Sequence, residues 1–154
     1  MKAAKEKQSP ECPGCTLGTP SDKRRWFREN CPECSGTGQW RAVVAIVGWL
    51  PATINALLRM HWAKRQLVLN GDKEMVARHV QLFRVRKAAG RRRVSVAFSS
   101  PRTPADPDAR LKGLLDGLVL SGAIVDDSPA YLVLGDVVNG RGEKQTIIRL
   151  EDVA

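Results

Sequence analysis

The sequence is short of acidic residues, of histidine and of long apolar runs. It carries 16 Asp and Glu against 25 Lys and Arg, which leaves a formal net charge of +9 at pH 7. That imbalance favours an anionic partner, and nucleic acid fits it better than a membrane surface. A membrane span needs roughly 18 consecutive apolar residues, and the chain has no such run. The N-terminus, MKAAKEKQSP, lacks the apolar core of a signal peptide, so a soluble, cytoplasmic protein is expected. His61 and His79 are the only histidines. Packing or surface roles suit both better than catalysis, although His61 lies among Arg59, Lys64 and Arg65 and so has the better claim to a DNA contact. No internal repeat is visible beyond two short cysteine motifs.

Those motifs use all four cysteines. CPGC (12–15) and CPEC (31–34) are separated by fifteen residues. Paired Cys-x-x-Cys turns at this spacing suit a tetrahedral site in which Cys12, Cys15, Cys31 and Cys34 hold one structural Zn²⁺. Two disulfides are the competing arrangement, but they belong to oxidising compartments. A segment this short cannot bury a core, so the metal would supply its folding energy. CPECSGTG is locally similar to the cysteine knuckle of DnaJ-type zinc modules. Between the motifs, SDKRRWFREN (21–30) mixes Lys23, Arg24, Arg25 and Arg28 with Trp26 and Phe27. That mixture suits either phosphates and bases or packing beneath the knuckle. Residues 1–40 thus read as a zinc module with a polar tail, and 38–40 as a hinge.

From residue 41 onward the pattern is that of an α/β domain. RAVVAIVGWL (41–50) is β-branched and bounded by Gly and Pro, which predicts a buried first strand. Helical periodicity runs from Asn55 to about Gly90, with a break expected at Asn70-Gly71. Arg91, Arg92 and Arg93 form the densest basic run, at the mouth of a strand over 94–98. Together with Lys64, Arg65 and Arg102 they are the candidate DNA contacts. Segments 131–138 and 144–150 read as an antiparallel hairpin turned at Asn139-Gly140. The expected architecture is a mixed β-sheet with two to three helices.

The most informative stretch is Pro101–Pro129, PRTPADPDARLKGLLDGLVLSGAIVDDSP. Asp106 is a good N-cap and Pro107 suits the first helical position. Leu111, Leu114, Leu115, Leu118 and Val119 make one apolar face, and Gly122 suits a left-handed terminus. Asp108, Lys112 and Asp116 share a polar stripe. Residues 123–125 read as a short buried strand that delivers Asp126 and Asp127 to a sheet edge. Crowded carboxylates make a hard-oxygen site for Mg²⁺ or Mn²⁺. The same spacing also describes a capped surface helix with solvated acids.

DPDARLKGLLDGLVLSGAIVDD resembles the signature of the RusA-type Holliday-junction resolvases: Asp-x-Asp, a Lys four residues on, a further Asp, then Gly and an Asp-Asp pair. LPATINALLRMHWAKR (50–65) is similar to that family's early Pro-x-x-x-Asn segment, and the resemblance covers roughly residues 42–152. Ala109 stands where the family usually has Asn. Ala105 stands where it often has a basic residue, with Arg102 the nearest substitute. The resemblance implies that Asp106, Asp108 and Asp127 bind the catalytic Mg²⁺ and that Lys112 is the catalytic lysine; Asp116 and Asp126 are candidates to orient Lys112 or the ligands. It further implies a RusA-like domain over 41–154, a homodimer, and cleavage of branched DNA in recombination, repair or phage DNA processing in a bacterial or phage-infected cell. A non-catalytic, zinc-containing DNA-binding protein is the rival. For the cysteine module the expectation is about one zinc per chain, falling in Cys31→Ser when metal content is measured. A folded, metal-free protein with two disulfides would refute it.

Overall fold

In the computed structural model, residues 40–102 and 106–153 are described. Cys12, Cys15, Cys31 and Cys34, and with them the expected zinc module, lie outside these residues. The chain order is β1 (Arg41–Val47), α1 (Ile54–Leu58), α2 (Trp62–Leu82), β2 (Arg92–Ser100), a 3₁₀ turn (Pro107–Arg110), α3 (Leu111–Ser121), β3 (Leu132–Arg141) and β4 (Gln145–Asp152). The fold is α/β, with a four-stranded mixed sheet in the order β1-β4-β2-β3. Trp40, expected in a hinge, is only 5% exposed and belongs to the core.

Alternation explains the sheet. Val44 and Ile46 on β1, Val94, Val96 and Phe98 on β2, and Ile148 and Leu150 on β4 point to one buried face. Val76 and Val80 of α2 and Leu111, Leu114 and Leu118 of α3 pack into the same cluster. Val43, Val47, Arg93 and Arg149, on the alternate positions, are exposed.

Three expectations about elements are corrected. First, β3 and β4 are not a hairpin. β2 lies between them, pairing parallel with β3 and antiparallel with β4. Asn139 and Gly140 continue the β3 ladder opposite Phe98 and Ser99, and the chain turns at residues 142–144. The crossover through α3 explains this, since a strand–helix–strand unit returns its second strand parallel to the first. Second, α2 runs unbroken through Asn70-Gly71. Its buried positions Leu69, Asp72, Val76 and Val80 anchor it on both sides of that dipeptide, so packing overrides local propensity. The break comes earlier, at 59–61, where Arg65 Nε donates to the Leu57 carbonyl at 2.9 Å. Third, residues 123–125 form bends rather than a strand. The amides of Ala123 and Ile124 both donate to the Leu118 carbonyl, and the Ala123 carbonyl accepts from Arg92 Nη1 at 2.6 Å, so that backbone is already satisfied.

The predicted helix after Pro101 is present, with one turn of 3₁₀ geometry before α3. Asp106 accepts from the Asp108 amide, and Gly122 closes α3 at φ 75°. Close approach of α2 and α3 depends on glycines. A Cβ at Gly117 would stand 2.6 Å from Val76 Cβ and 3.0 Å from the Lys73 carbonyl oxygen, whereas one at Gly71 would meet nothing within 4 Å. Gly117→Ala is therefore expected to lower the unfolding free energy by about 1–3 kcal/mol. Gly71→Ala is expected to raise it by up to about 1 kcal/mol, because alanine is the better helix former. Urea denaturation of the two variants checks both signs.

Candidate functional site

The acidic turn is built by the end of β2. After Ser100 the chain leaves the sheet, and Asp106 and Asp108 then stand exposed on the 3₁₀ turn. Asp106 Oδ1 lies 3.4 Å from the Asp108 amide nitrogen. The same turn carries Arg110, whose guanidinium donates to the Pro51 carbonyl. Arg110, Arg102 and Lys144 line a cleft of about 550 Å³, together with the hydroxyl residues Thr53 and Ser100 and with Leu50, Pro51, Ala52, Ala56 and Pro101. Among the described residues, its lining contains no acidic side chain.

Beneath the cleft lies a group that the sequence reading missed. Asp72 is 7% exposed, and its Oδ2 accepts from the Ala52 amide at 3.0 Å. Burial lifts its carboxyl above the ordinary carboxylate range, while the Ala52 N–H and the Arg110 charge pull it back. Burial likewise lowers the Arg110 value, and Asp72 opposes that shift. Asp72 and Arg110 thus hold the adjacent backbone groups of Ala52 and Pro51. A signal was present in the sequence: Asp72 falls in line with Leu69, Val76 and Val80 at helical spacing, an acid on an apolar stripe.

The remaining acids gather elsewhere. Asp127 and Asp126, both exposed, line a second hollow of about 310 Å³ with Asp116 and Lys73. Asp116 Oδ2 stands 3.4 Å from Lys73 Nζ and 3.9 Å from Lys112 Nζ. Hydrogen bonds from the Ser128 side chain and then from the Asp127 amide hold the Asp126 carboxyl below its usual range. Among the described residues, no three His, Cys, Asp or Glu side chains stand together as a possible cation site. The structure therefore puts Asp106 and Asp108 on one turn and does not bring Asp127 to them. Two exposed carboxylates still suit Mg²⁺, which keeps several waters and takes one or two protein carboxylates plus substrate phosphate.

The basic candidates divide. Arg92 is completely buried and cannot contact DNA: Nε donates to Asp152 Oδ1 at 2.7 Å, and the side chain stacks 4.0 Å from the Trp40 ring. Arg93 is exposed but lies 3.6 Å from Glu151, and Arg91 is exposed. The run sits at the start of β2, at the opposite end from the acidic turn. An extended strand separates Arg92 from Ser100 by roughly 26 Å. Arg65 caps α1 and is only half-exposed, while Lys64 and Arg102 are exposed. His61 caps α2 through Nδ1, and His79 Nδ1 is 2.9 Å from the Met75 carbonyl oxygen, both structural roles.

No family model matches this chain, and no curated protein sequence matches it.

The Asp72 geometry has a pH signature. Its raised value means the folded chain holds this proton more tightly than the unfolded chain does. The contribution is therefore fully present below the ordinary carboxylate range and is lost as pH rises through the folded-state value. The fall in melting temperature over that rise is expected to be shallower in Asp72→Asn, which keeps an acceptor for the Ala52 N–H. Asp72→Ala leaves that donor unmatched and should cost about 1–3 kcal/mol.

Proposed function

We propose that the protein is a Mg²⁺-dependent endonuclease that cuts branched DNA, with Holliday junctions as the leading substrate. The observation that supports the reading is the adjacency of two opposite charge sets at one end of β2. Asp106 and Asp108 occupy the same turn as Arg110, and Arg110 lines the cationic cleft with Arg102 and Lys144. Cutting a phosphodiester needs both: cations to hold the backbone and carboxylates to hold an ion. The resemblance to the RusA-type resolvases supplies the substrate class.

In this reading Asp106 and Asp108 hold the ion, with Asp127 the third acid that the resemblance nominates. The bound ion would activate water and polarise the phosphate. Lys112, exposed one turn after Asp108, stabilises charge developing on the phosphoryl oxygens. Asp116, 3.9 Å away, holds the lysine on that side of the helix. Resolution of a junction takes two symmetric cuts, which calls for a twofold dimer. The position of Asp127 in the second hollow, beside Asp126 and Lys73, favours one rival: a protein whose cleft binds DNA without cutting it.

A labelled four-way junction incubated with and without Mg²⁺ separates the two. Symmetric, magnesium-dependent nicks are expected, and the rate should fall at least about 100-fold in Asp108→Asn. The same loss in Asp127→Asn would place that acid in the same machinery. Junction binding with no cleavage at any magnesium concentration would refute the nuclease reading and leave the binding protein. Cleavage of flaps or forks in preference to junctions would keep the chemistry and change the substrate.

A further inference from the structure

We propose that the cleft between the β2 end and the α1 segment is the seat of one DNA strand's sugar–phosphate backbone, with Arg102 and Lys144 as its phosphate contacts. The inference deepens the nuclease reading and rests on it for the identity of the strand.

Three cations reach this cleft from separate parts of the chain: Arg102 after β2, Arg110 on the 3₁₀ turn and Lys144 in the β3–β4 connection. Six other cations among the described residues pair with acids. Arg41 and Arg93 pair with Glu151, Arg86 and Arg92 with Asp152, and Lys73 and Lys112 with Asp116. Arg102 and Lys144 are exposed, and neither pairs with an acid among the described residues. Their charge is left for a ligand. Arg110 has a different task. One of its donors is spent on the Pro51 carbonyl and its charge faces Asp72, so it is a positioning residue that stiffens the cleft wall.

The wall itself suits a backbone more than a free anion. Leu50, Pro51 and Pro101 are apolar and short, and the hydroxyl residues Thr53 and Ser100 sit beside them. Cations against phosphates and apolar surface against sugars are the ordinary means by which proteins position a strand without reading its sequence. The cleft adjoins the turn carrying Asp106 and Asp108, so a strand seated there brings a phosphodiester toward the acids.

The test measures anisotropy of a labelled four-way junction in EDTA across a salt series, then cleavage in Mg²⁺. The chains are the wild type, Arg102→Ala/Lys144→Ala, and Arg78→Ala/Arg149→Ala, whose two exposed arginines lie on other elements. Losing two phosphate contacts should reduce the slope of log affinity against log salt by about 2 and weaken binding at least about tenfold at physiological salt. The second pair should leave both readings near the wild type. Arg102→Lys/Lys144→Arg, which keeps the charge, should bind as the wild type does, and melting temperatures confirm that all the chains fold. The proposal is overturned if the cleft pair binds with unchanged slope, if the other pair loses as much, or if millimolar inorganic phosphate alone displaces the junction. Wild-type binding that depends on the cleft pair without any cleavage keeps the cleft and removes the nuclease. Cleavage by a cleft-pair variant that binds normally does the reverse.

Discussion

One buried guanidinium ties the domain together. Arg92 opens the central strand and is wholly removed from solvent. Burying such a charge is costly unless its donors are used. Here Nε meets Asp152, Nη1 meets the carbonyls of Arg86 and Ala123, and Nη2 reaches the Lys87 carbonyl. The indole of Trp40 covers it, and Arg86 lies over the same ring while pairing with Asp152. Four segments thereby converge: residue 40, the exit from α2, the loop after α3 and the end of β4. Desolvation lowers the guanidinium's proton affinity, and Asp152 restores part of it. Both ends of the described fold meet at this charge.

The clamp occupies one end of β2 and the cationic cleft the other. That polarity organises the charges. Near the clamp, Arg86 and Arg92 pair with Asp152 and Arg93 with Glu151, while Arg91 is exposed. At the far end, Arg102 and Lys144 line a cleft with no acid among its described lining residues, and the Asp106–Asp108 turn stands next to it. A net charge of +9 describes neither end. Carboxylates are unequally distributed: they pair several arginines at one end and leave Arg102 and Lys144 without an acidic partner among the described residues at the other.

Much of the site's local structure could be read residue by residue. Asp106, Pro107 and Gly122 have the capping chemistry of their positions, and the leucines of α3 have its periodicity. Asp116 could be read as a partner for Lys112 because both are one turn apart on a helix. The strand alternation in 94–98 was legible for the same reason, since it depends only on the backbone period. By contrast, Asp72 and Arg110 took on meaning only once Ala52 and Pro51 were brought against them from 20 and 59 residues away. Arg92 in sequence is one of three adjacent arginines; only the pleat of β2 turns it inward while its neighbours face out.

The sequence by itself determined the α/β class, the capped helix with its acidic head, and the excess of positive charge, because each depends on composition or on contacts a few residues long. Only the tertiary structure decided that β2 separates β3 from β4, that α2 passes through Asn70-Gly71, that the arginine run lies a strand's length from the acids, and that Asp126 and Asp127 share a hollow with Asp116. Each of those outcomes depends on which distant surfaces are buried against one another, and burial across long separations outweighs the small free-energy preferences of local turns and breaks.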